Sequence, residues 1–414
     1  MRNSSTPVRV LMLLESPFPT TGGGGAESQV RTLALALRAR GHEVTVLTPM
    51  LESGPQRTVD DVEGIPVRRI SYPRIPAVGS LILWTRLAGF LFRNRNNFDA
   101  WHVHIAHYLG AIACVIGRWL GIPVIVKFSG QWELDSGLLA RDASWPMRIA
   151  KGGLAKARVY QAISRRIAGE IVARGLPTDR TATVPNAVDV SRFQPRAGAR
   201  DPALPFTAVY VGRLQCHKGL DTLVAAWAQA FRGRDDVRLE LVGQGEDETA
   251  LREQADAAGV ANQIEFLGHR SDVENVLAAA DVAVLPSLIE GLSNSLLEFM
   301  ASGLPVIASR VSGSEDLIVT GSNGWLFDVG DRDGCANALV EAVAMDRDAL
   351  AALGRQARLD VEAAAGLDGV LDRLLALYRG ALPVEGVVEI ANHSASAIAR
   401  CAAPSNVTPL RRVG

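Results

Sequence analysis

Residues 8–27, VRVLMLLESPFPTTGGGGAE, decide the fold of this chain. Val8–Leu14 is a short apolar run, which is typical of a strand buried on both faces of a sheet. The glycine run opens a helical stretch, Glu27–Arg40, and Gly41 lies where a helix C-cap is expected. A strand, a glycine-rich turn and a helix in this order predict the first unit of a parallel sheet.

The rest of the chain repeats this alternation of short apolar runs and helical stretches. In the first half the other predicted strands are Glu43–Thr48, Val67–Ile70, Ala100–Ile105, Val124–Phe128, Val159–Ile163 and Thr181–Val184. In the second half they are Thr207–Val211, Arg238–Val242, Ile264–Leu267, Val282–Leu285, Val306–Ala308 and Trp325–Phe327. This order predicts an α/β fold whose parallel sheets are covered by helices.

The chain has 414 residues, enough for two independent cores. Three prolines within Val190–Pro205 interrupt the pattern and indicate a linker, and helical periodicity runs from Leu350 to Tyr378. The predicted organisation follows from these breaks. It comprises an N-terminal Rossmann-like domain (1–190), a linker (191–205), a C-terminal Rossmann-like domain (206–365), a helix packing back on the first domain (366–382) and a flexible tail (383–414).

Composition and charge argue against several classes of function. The formal net charge of -1 gives no reason to expect a nucleic-acid partner. The four cysteines form no CxxC pair, so no zinc site is indicated. No run approaches about 20 apolar residues, and Val8–Leu14 lacks the cleavage site of a secretory signal, so a cytoplasmic protein is expected.

The glycine run Gly22–Gly25, followed by Glu27, is the first candidate binding element. Glycines let a ligand approach the backbone, and a helix N-terminus offers N–H groups to anionic or hydroxyl oxygens. The run is not GxGxxG, so it is weak evidence for a dinucleotide, and a plain flexible loop is the alternative. Its place after the first strand, where open α/β sheets bind ligands, favours a functional role.

The second element is the loop Gly212–Gly219, in which Arg213 and Lys218 flank a short turn. Two fixed cations suit a diphosphate, whose charge they neutralise as it leaves. A solvated basic loop is the alternative.

The third element is Pro286–Glu298, which follows an apolar run. Ser293 or Asn294 can cap the helix that begins there, and the helix N-terminus is a second place for phosphate. Glu290 and Glu298 can bind sugar hydroxyls through charge-assisted hydrogen bonds. There are two other interpretations of these glutamates. They could form a general acid and base pair, or Glu298 could lie on a solvated helix face.

These three elements form one pattern together with five further segments. The segments are Val184-Pro185-Asn186-Ala187-Val188-Asp189, Leu241-Val242-Gly243-Gln244-Gly245, Phe266-Leu267-Gly268, Gly303-Leu304-Pro305-Val306-Ile307-Ala308-Ser309 and Gly321…Gly324. The sequence resembles the retaining glycosyltransferases of family 4 over nearly the whole chain to about residue 380. The resemblance implies the GT-B fold, two Rossmann-like domains facing across a cleft. It also implies transfer of a sugar from a nucleotide-sugar, which is a co-substrate, with no cofactor and no metal.

The resemblance also implies roles for individual residues. Arg213 and Lys218 would hold the donor diphosphate, Glu298 the ribose hydroxyls, and Glu290 the transferred sugar. Implied donor-binding residues are Gly212, Arg213, Lys218, Gly268, Arg270, Glu290, Gly291, Leu292, Ser293, Asn294 and Glu298, with Arg213, Lys218 and Glu290 catalytic. On the acceptor side they are Gly23, Gly24, Gly25, Glu27, His104, Ser129 and Asn186. Asp331-Arg332-Asp333 has the spelling of a metal-binding DxD but lies late, in a predicted surface turn.

One position departs from the family. Many members carry a histidine after the strand that matches Val124–Phe128, and here Ser129 stands in that place, with Lys127 nearby as a charge. A hydroxyl bonds a sugar but is neither a cation nor a base at neutral pH. His102 and His104 share a face of their strand, and hydrogen-bonded structural histidines are a better interpretation than metal ligands.

The segment Gly79–Asn97 mixes large apolar side chains with Arg86, Arg93 and Arg95. It suits an amphipathic helix that packs on the first sheet, or one that contacts an anionic membrane surface peripherally, at its inner face.

The predicted activity is therefore transfer from a nucleoside-diphosphate sugar, with UDP favoured, to a hydroxyl of a glycan, lipid-linked or small-molecule acceptor. A nucleotide-sugar epimerase of the same fold is one alternative. A non-catalytic nucleotide-sugar-binding protein and a dinucleotide-dependent dehydrogenase are the others.

Overall fold

The computed structural model describes residues 6–19, 24–51, 57–198, 200–201 and 203–383. The chain forms two compact units. The first runs to Ala187 and resumes at Leu367, and the second is Val188–Gly366.

Eight strands of the first unit's described residues form one sheet, in the order β3-β4-β2-β1-β5-β6-β7-β8. They are β1 Arg9–Leu13, β2 Glu43–Pro49, β3 Val59–Val62, β4 Ile65–Ile70, β5 Ala100–Val103, β6 Val124–Phe128, β7 Val159–Ala162 and β8 Thr181–Thr183. All pairings are parallel except that of β3 with β4. The helices between them are α1 Gly25–Ala39, α2 Val78–Arg93, α3 Tyr108–Leu120, α4 Gln131–Asp135, α5 Trp145–Leu154 and α6 Arg165–Ala173.

The second unit has a parallel sheet in the order β11-β10-β9-β12-β13-β14. Its strands are β9 Phe206–Val211, β10 Val237–Val242, β11 Ile264–Gly268, β12 Val282–Leu285, β13 Val306–Ser309 and β14 Gly324–Phe327. Its helices are α7 Leu220–Phe231, α8 Glu248–Ala257, α9 Val273–Ala279, α10 Asn294–Ala301, α11 Ser314–Leu317, α12 Arg332–Ala344 and α13 Arg347–Ala365.

The last described helix, α14 Leu367–Tyr378, belongs to the first unit. Leu371 and Leu374 are buried with Val10 and Ile125 of the sheet in one apolar core. The hydroxyl of Tyr378 lies 2.7 Å from Nδ1 of His102 on β5. The apolar stripe of this helix therefore covers the sheet of the first unit, as the helical period of the sequence requires.

The strand order reverses at two places that determine where ligands bind. In the first unit the crossovers leave β1 and β5 in opposite directions, and in the second unit they leave β9 and β12 in opposite directions. Open α/β sheets bind ligands at the carboxyl ends of such strand pairs because the loops there diverge. The sequence motifs of the second half follow β9 and β12.

One strand differs from the sequence expectations. Strand β3 was not predicted, because its sequence, VDDV, lacks an apolar period, and it pairs through a tight turn in which Glu63 and Gly64 have positive φ. The helical stretch from Leu350 to Tyr378 is two helices divided at Gly366, where the predicted C-terminal helix (366–382) begins. The described residues of the predicted linker, 191–205, are grouped with the second unit, where Arg200 pairs with the half-buried Asp281. Most of the predicted tail, 384–414, lies outside the described residues.

Candidate active site

The loop that follows β9 is held rigidly by backbone contacts. The N–H of Gly212 donates to Val242 at 2.9 Å, and that of Leu214 donates to Gln244 at 3.0 Å. Gly219 ends the loop with φ of +66°, and a Cβ there would collide with the carbonyl oxygen of Pro286. Glycine at this position therefore lets the loop after β9 touch the loop after β12.

This contact brings together two of the predicted catalytic residues. The Nζ atom of Lys218 lies 2.6 Å from Oε1 of Glu290. The hydroxyl of Ser287 donates to the same carboxylate oxygen at 2.9 Å. Both charged side chains are mostly buried, so this charge-assisted pair fixes their positions at the switch point of the second sheet.

Arg213 supplies a second cation beside this pair. Its side chain is exposed, and the part of the chain that the structure describes offers it no hydrogen-bond or ion-pair partner. Burial, and then the charges of Lys218 and Arg213, lower the pKa of His217. The charge of Glu290 acts on His217 in the opposite direction. The two cations of the loop, Arg213 and Lys218, suit a polyanionic ligand.

The loop after β12 is anchored by two serine side chains at and just after the end of the neighbouring strand, β13. Sequence reasoning missed these contacts. The hydroxyl of Ser309, at the end of β13, donates to the carbonyl of Ser287 at 2.5 Å. Ser312 donates in the same way to Gly291 at 2.9 Å. A Cβ on Gly313 would come within 2.9 Å of the Gly291 carbonyl. The only sequence signal for these contacts was the serine and glycine residues that follow a buried strand.

The loop leads into α10, whose N-terminus lies at residues 293–294. Ser293 is the N-cap residue by position, but its side chain makes no cap hydrogen bond, contrary to the capping role that the sequence allowed. Leu292 and Ser293 are buried, and Asn294 is half-buried. The N-terminus of α10 therefore lies at the same strand edge as Lys218 and Glu290, where it adds a positive dipole end.

Glu298 lies one turn into α10 and is not a solvated surface residue. Its carboxylate has no hydrogen-bond partner among the described residues. Burial raises the pKa of Glu298 to about 7, and the nearby charges of Arg192 and Glu274 act in opposite directions. A partly buried carboxyl group without a partner is suited to accept hydrogen bonds from ligand hydroxyls.

Two other predicted donor-binding residues, Gly268 and Arg270, lie at the end of the edge strand β11 and just after it. Gly268 ends β11 with φ of +64°, and its carbonyl accepts from Gly243 at 2.8 Å. Arg270 is exposed and pairs with Asp272 at 2.7 Å. The backbone turn at Gly268 is therefore fixed, whereas Arg270 is held only by a surface ion pair.

In the first unit the glycine-rich loop is partly described. Gly23 lies outside the described residues, Gly24 is the N-cap of α1, and Gly25 is its first residue. The hydroxyl of Ser16 donates to the carboxylate of Glu27, which lies so close to Gly24 that a Cβ there would collide with it. Glycine at 24 therefore makes room for the carboxylate of Glu27. Asn186 is buried at the end of this unit.

Ser129 does not act as a free substitute for the missing histidine. Its N–H and hydroxyl both donate to the carboxylate of Glu133, at 2.5 and 3.1 Å. Glu133 also accepts from the N–H groups of Ala106 at 2.7 Å and Gly130 at 2.8 Å. This buried carboxylate, which sequence reasoning missed, joins the loop after β5 to the loop after β6.

His104 is fully buried, and neither of its ring nitrogens has a partner among the described residues. Its ring centroid lies 4.1 Å from that of His102. His102 bonds Tyr378 and Gln161, as expected of a structural histidine. Burial lowers the pKa of the neighbouring Lys127 to about 8, and the charge of Glu133 acts in the opposite direction.

His107 belongs to a different pair at the switch point of the first sheet. Its Nδ1 atom lies 2.8 Å from Oε1 of Glu15, which follows β1. Burial acts to lower the pKa of His107, but the hydrogen bond and charge of Glu15 outweigh it, so that the pKa is raised.

No group of three or more histidine, cysteine, aspartate or glutamate side chains converges as a metal site within the described ranges. The sequence Asp331-Arg332-Asp333 is a helix start, because the side chain of Asp331 accepts from the N–H of Gly334 at 3.0 Å and caps α12. Of the helices described here, none has the length and apolarity to cross a bilayer.

Comparisons with known proteins identify the family of the chain. Residues 23–192 match the family described as "Glycosyltransferase Family 4". Residues 205–345 match the family described as "Glycosyl transferases group 1". The chain belongs to glycosyltransferase family 4. Its fold is GT-B, and it is a glycosyltransferase.

Individual relatives show how far the similarity extends. A D-inositol 3-phosphate glycosyltransferase of Catenulispora acidiphila is 29% identical over 92% of this chain and 98% of its own length. A putative colanic acid biosynthesis glycosyltransferase of Escherichia coli is 32% identical over 48% of this chain and 51% of its own. The crystal structure of Anabaena Alr3699/HepE with UDP matches with a TM-score of 0.71, at 20% identity, over 89% of this chain and 99% of that one. None of these relatives supports the epimerase alternative.

Proposed function

We propose that this family 4 enzyme transfers a sugar from a UDP-sugar to a hydroxyl group of a glycan, lipid-linked or small-molecule acceptor, with retention of configuration and without a metal ion. The observation that carries the proposal is the 2.6 Å pair of Lys218 and Glu290 at the switch point of the second sheet, with Arg213 beside it. UDP is favoured because a solved structure of the same fold holds it.

The chemistry follows from where the charges lie. The departing diphosphate develops negative charge, which Arg213, Lys218 and the N-terminus of α10 stabilise by fixed charges and dipoles. These groups provide the charge neutralisation that a metal ion provides in other transferases. Glu290, held by Ser287, is placed to bind hydroxyls of the transferred sugar, and Glu298 is placed to bind those of the ribose.

Retention is proposed through transfer on one face of the sugar. The donor phosphate leaves, and one of its oxygens takes the proton of the acceptor hydroxyl. Under this mechanism the enzyme needs no nucleophile, and its contribution is alignment and electrostatic support. The carboxylate of Glu290 is paired with Lys218, which makes it a poor candidate for a free nucleophile.

A related chain is named for colanic acid biosynthesis, and on this ground a role in polysaccharide biosynthesis is proposed for this enzyme.

The test is a thermal-shift screen of the full chain against UDP- and GDP-sugars, followed by product analysis. A ligand at about 100 times its dissociation constant stabilises the protein by about 2.7 kcal/mol. The anomeric configuration of the product, read by NMR, distinguishes retention from inversion. Transfer abolished by EDTA would contradict metal independence, and binding without hydrolysis or transfer to any acceptor would favour a non-catalytic binding protein.

A further inference from the structure

The helices α2 and α3 lie side by side in the first unit, and two aromatic contacts fix their alignment. Trp84 stacks on Tyr108 with ring centroids 5.5 Å apart. Phe92 stacks on Trp119 at 6.0 Å, with an angle of 17° between the ring planes. The first pair lies near the start of α3 and the second near its end, so both helices point the same way.

Packing on the sheet accounts for only one stripe of α2. Leu83, Leu87 and Leu91 follow one another at helical spacing and are buried. Two large apolar side chains of α2 remain uncovered, because Leu81 and Phe92, which lie about three turns apart on one side of the helix, are both exposed. Trp119 is 75% exposed although it is the largest apolar side chain of α3. The stacked Phe92–Trp119 pair therefore presents aromatic surface to the outside.

The charge on this face has one sign. Residues 64–98 and 100–132 contain no aspartate or glutamate. The one acid between them, Asp99, is paired with Arg9 at 3.0 Å. Arg93, Arg95 and Arg118 are exposed, and within the described ranges none of the three forms an ion pair.

The cations are adjacent to the aromatic pair. The guanidinium carbon of Arg95 lies 4.8 Å from the ring centroid of Phe92, and Arg118 directly precedes Trp119. Aromatic side chains flanked by arginines are suited to the boundary between lipid headgroups and acyl chains, where the ring is partly buried and the cation meets phosphate. Helices α2 and α3 themselves carry no acidic residue, which makes their exposed face complementary to an anionic bilayer.

We propose that this α2–α3 face, formed by Leu81, Phe92, Arg93, Arg95, Arg118 and Trp119, docks on the surface of an anionic lipid bilayer. The protein lies on the membrane rather than in it, with Phe92 and Trp119 inserted at headgroup depth and the arginines bound to lipid phosphates. This inference does not rest on the transferase activity, since it concerns residues outside the donor site.

The test is co-sedimentation of the full chain with vesicles of phosphatidylcholine alone and of an equal mixture of phosphatidylcholine and phosphatidylglycerol. Binding is expected to the anionic vesicles only and to weaken as salt is added. F92S/W119S is expected to abolish it. R93S/R95S is expected to weaken it by about 30-fold, from about 1 kcal/mol for each cation near an anionic surface.

The matched control is Leu359→Ser, which removes a side chain that is 61% exposed on α13 of the second unit and is expected to bind vesicles as the unchanged chain does. Thermal unfolding shows that each variant folds. Equal binding to both kinds of vesicle, or binding that survives F92S/W119S, would overturn the proposal. So would a concentration-dependent dimer that F92S/W119S dissociates without any vesicle binding, because a second copy of the chain would then be the partner.

Discussion

Lys218 and Glu290 are separated by 72 positions in the sequence, yet Nζ of the lysine lies 2.6 Å from Oε1 of the glutamate. Each thereby balances the charge of the other. A diphosphate that binds Lys218 must compete with Glu290 for the ammonium group. A sugar hydroxyl that binds Glu290 meets a carboxylate whose position is already fixed by Lys218. Under the proposed function, the diphosphate and the sugar of the donor would be bound by two side chains that are already paired with each other.

The substitution K218A is expected to lower kcat/KM for the donor by about 100- to 1000-fold, on the scale of about 2.7–4 kcal/mol for a lost preorganised donor. Steady-state kinetics with the UDP-sugar measure this. K156A, which removes an exposed lysine of the first unit, is the control and is expected to be neutral. K218A leaves the mostly buried Glu290 without its cationic partner, so denaturant unfolding of K218A is needed to measure lost stability separately from lost turnover. Normal turnover in K218A would refute the assignment.

The substitution E290Q is expected to have opposite effects on binding and turnover. Without the competing carboxylate, Lys218 is freer to bind phosphate, so UDP is expected to bind about tenfold more tightly, or about 1.4 kcal/mol. Transfer is expected to fall, because the sugar loses its charged acceptor. Calorimetry with UDP and turnover assays measure the two effects. S287A, which removes only the hydroxyl that orients Glu290, is expected to change both much less. Weaker UDP binding in E290Q would show that the pair does not compete with the ligand.

Donor binding is expected to depend on the ionisation of Glu298. Burial raises its pKa to about 7, and hydroxyl groups donate best to the ionised form, so the affinity for UDP should increase as the pH rises through about 7. Calorimetric titration of UDP between pH 6 and 8 (a range of about one unit either side) tests this. E298Q should bind more weakly and lose this component of the pH dependence. A pH profile that is the same in E298Q would contradict the role.

The same shift affects folding stability in the opposite direction. Because the folded-state pKa of Glu298 lies above that of the unfolded chain, stability from this group is full below the unfolded pKa and decreases as the pH rises through 7. E298Q is expected to remove that decrease, which thermal unfolding at several pH values can measure.

The substitution E133A is expected to lower stability by about 3 kcal/mol, because it leaves the buried N–H groups of Ala106, Ser129 and Gly130 without an acceptor. The loops after β5 and β6 are then no longer joined, so the KM for the acceptor should rise more than the Kd for UDP. E133Q, which keeps an acceptor oxygen, should recover part of both losses. Denaturant unfolding and separate titrations of donor and acceptor distinguish these effects, and an unchanged acceptor KM in a folded E133A protein would exclude a positioning role.

The substitution G219A is expected to destabilise the second unit by about 1–3 kcal/mol, because alanine at φ of +66° is strained and its Cβ would collide with the Pro286 carbonyl. G369A is the matched control. Gly369 lies in α14 with open space around it, so alanine there should stabilise by about 0.5–1 kcal/mol. Thermal unfolding compares the two, and equal effects would show that the contact at Gly219 is not needed.

Several features of the fold and site could be predicted because their cause is local. Short apolar runs predicted buried strands such as Val124–Phe128 and Val282–Leu285, since a buried parallel strand needs no more than a short apolar segment. The edge strand Val59–Val62 was not predicted because it has no buried residue and therefore no apolar period, and the turn at Glu63 and Gly64 determines its pairing.

The sequence by itself determined the family and the alternation of strands and helices, because these depend on residues close together in the chain. Only the tertiary structure decided that Lys218 is paired with Glu290, that Glu298 is partly buried with a raised pKa, and that Ser129 is bound to Glu133. Each of these depends on distances between loops at the ends of different strands. Such distances follow from strand order and sheet packing, which no local pattern encodes.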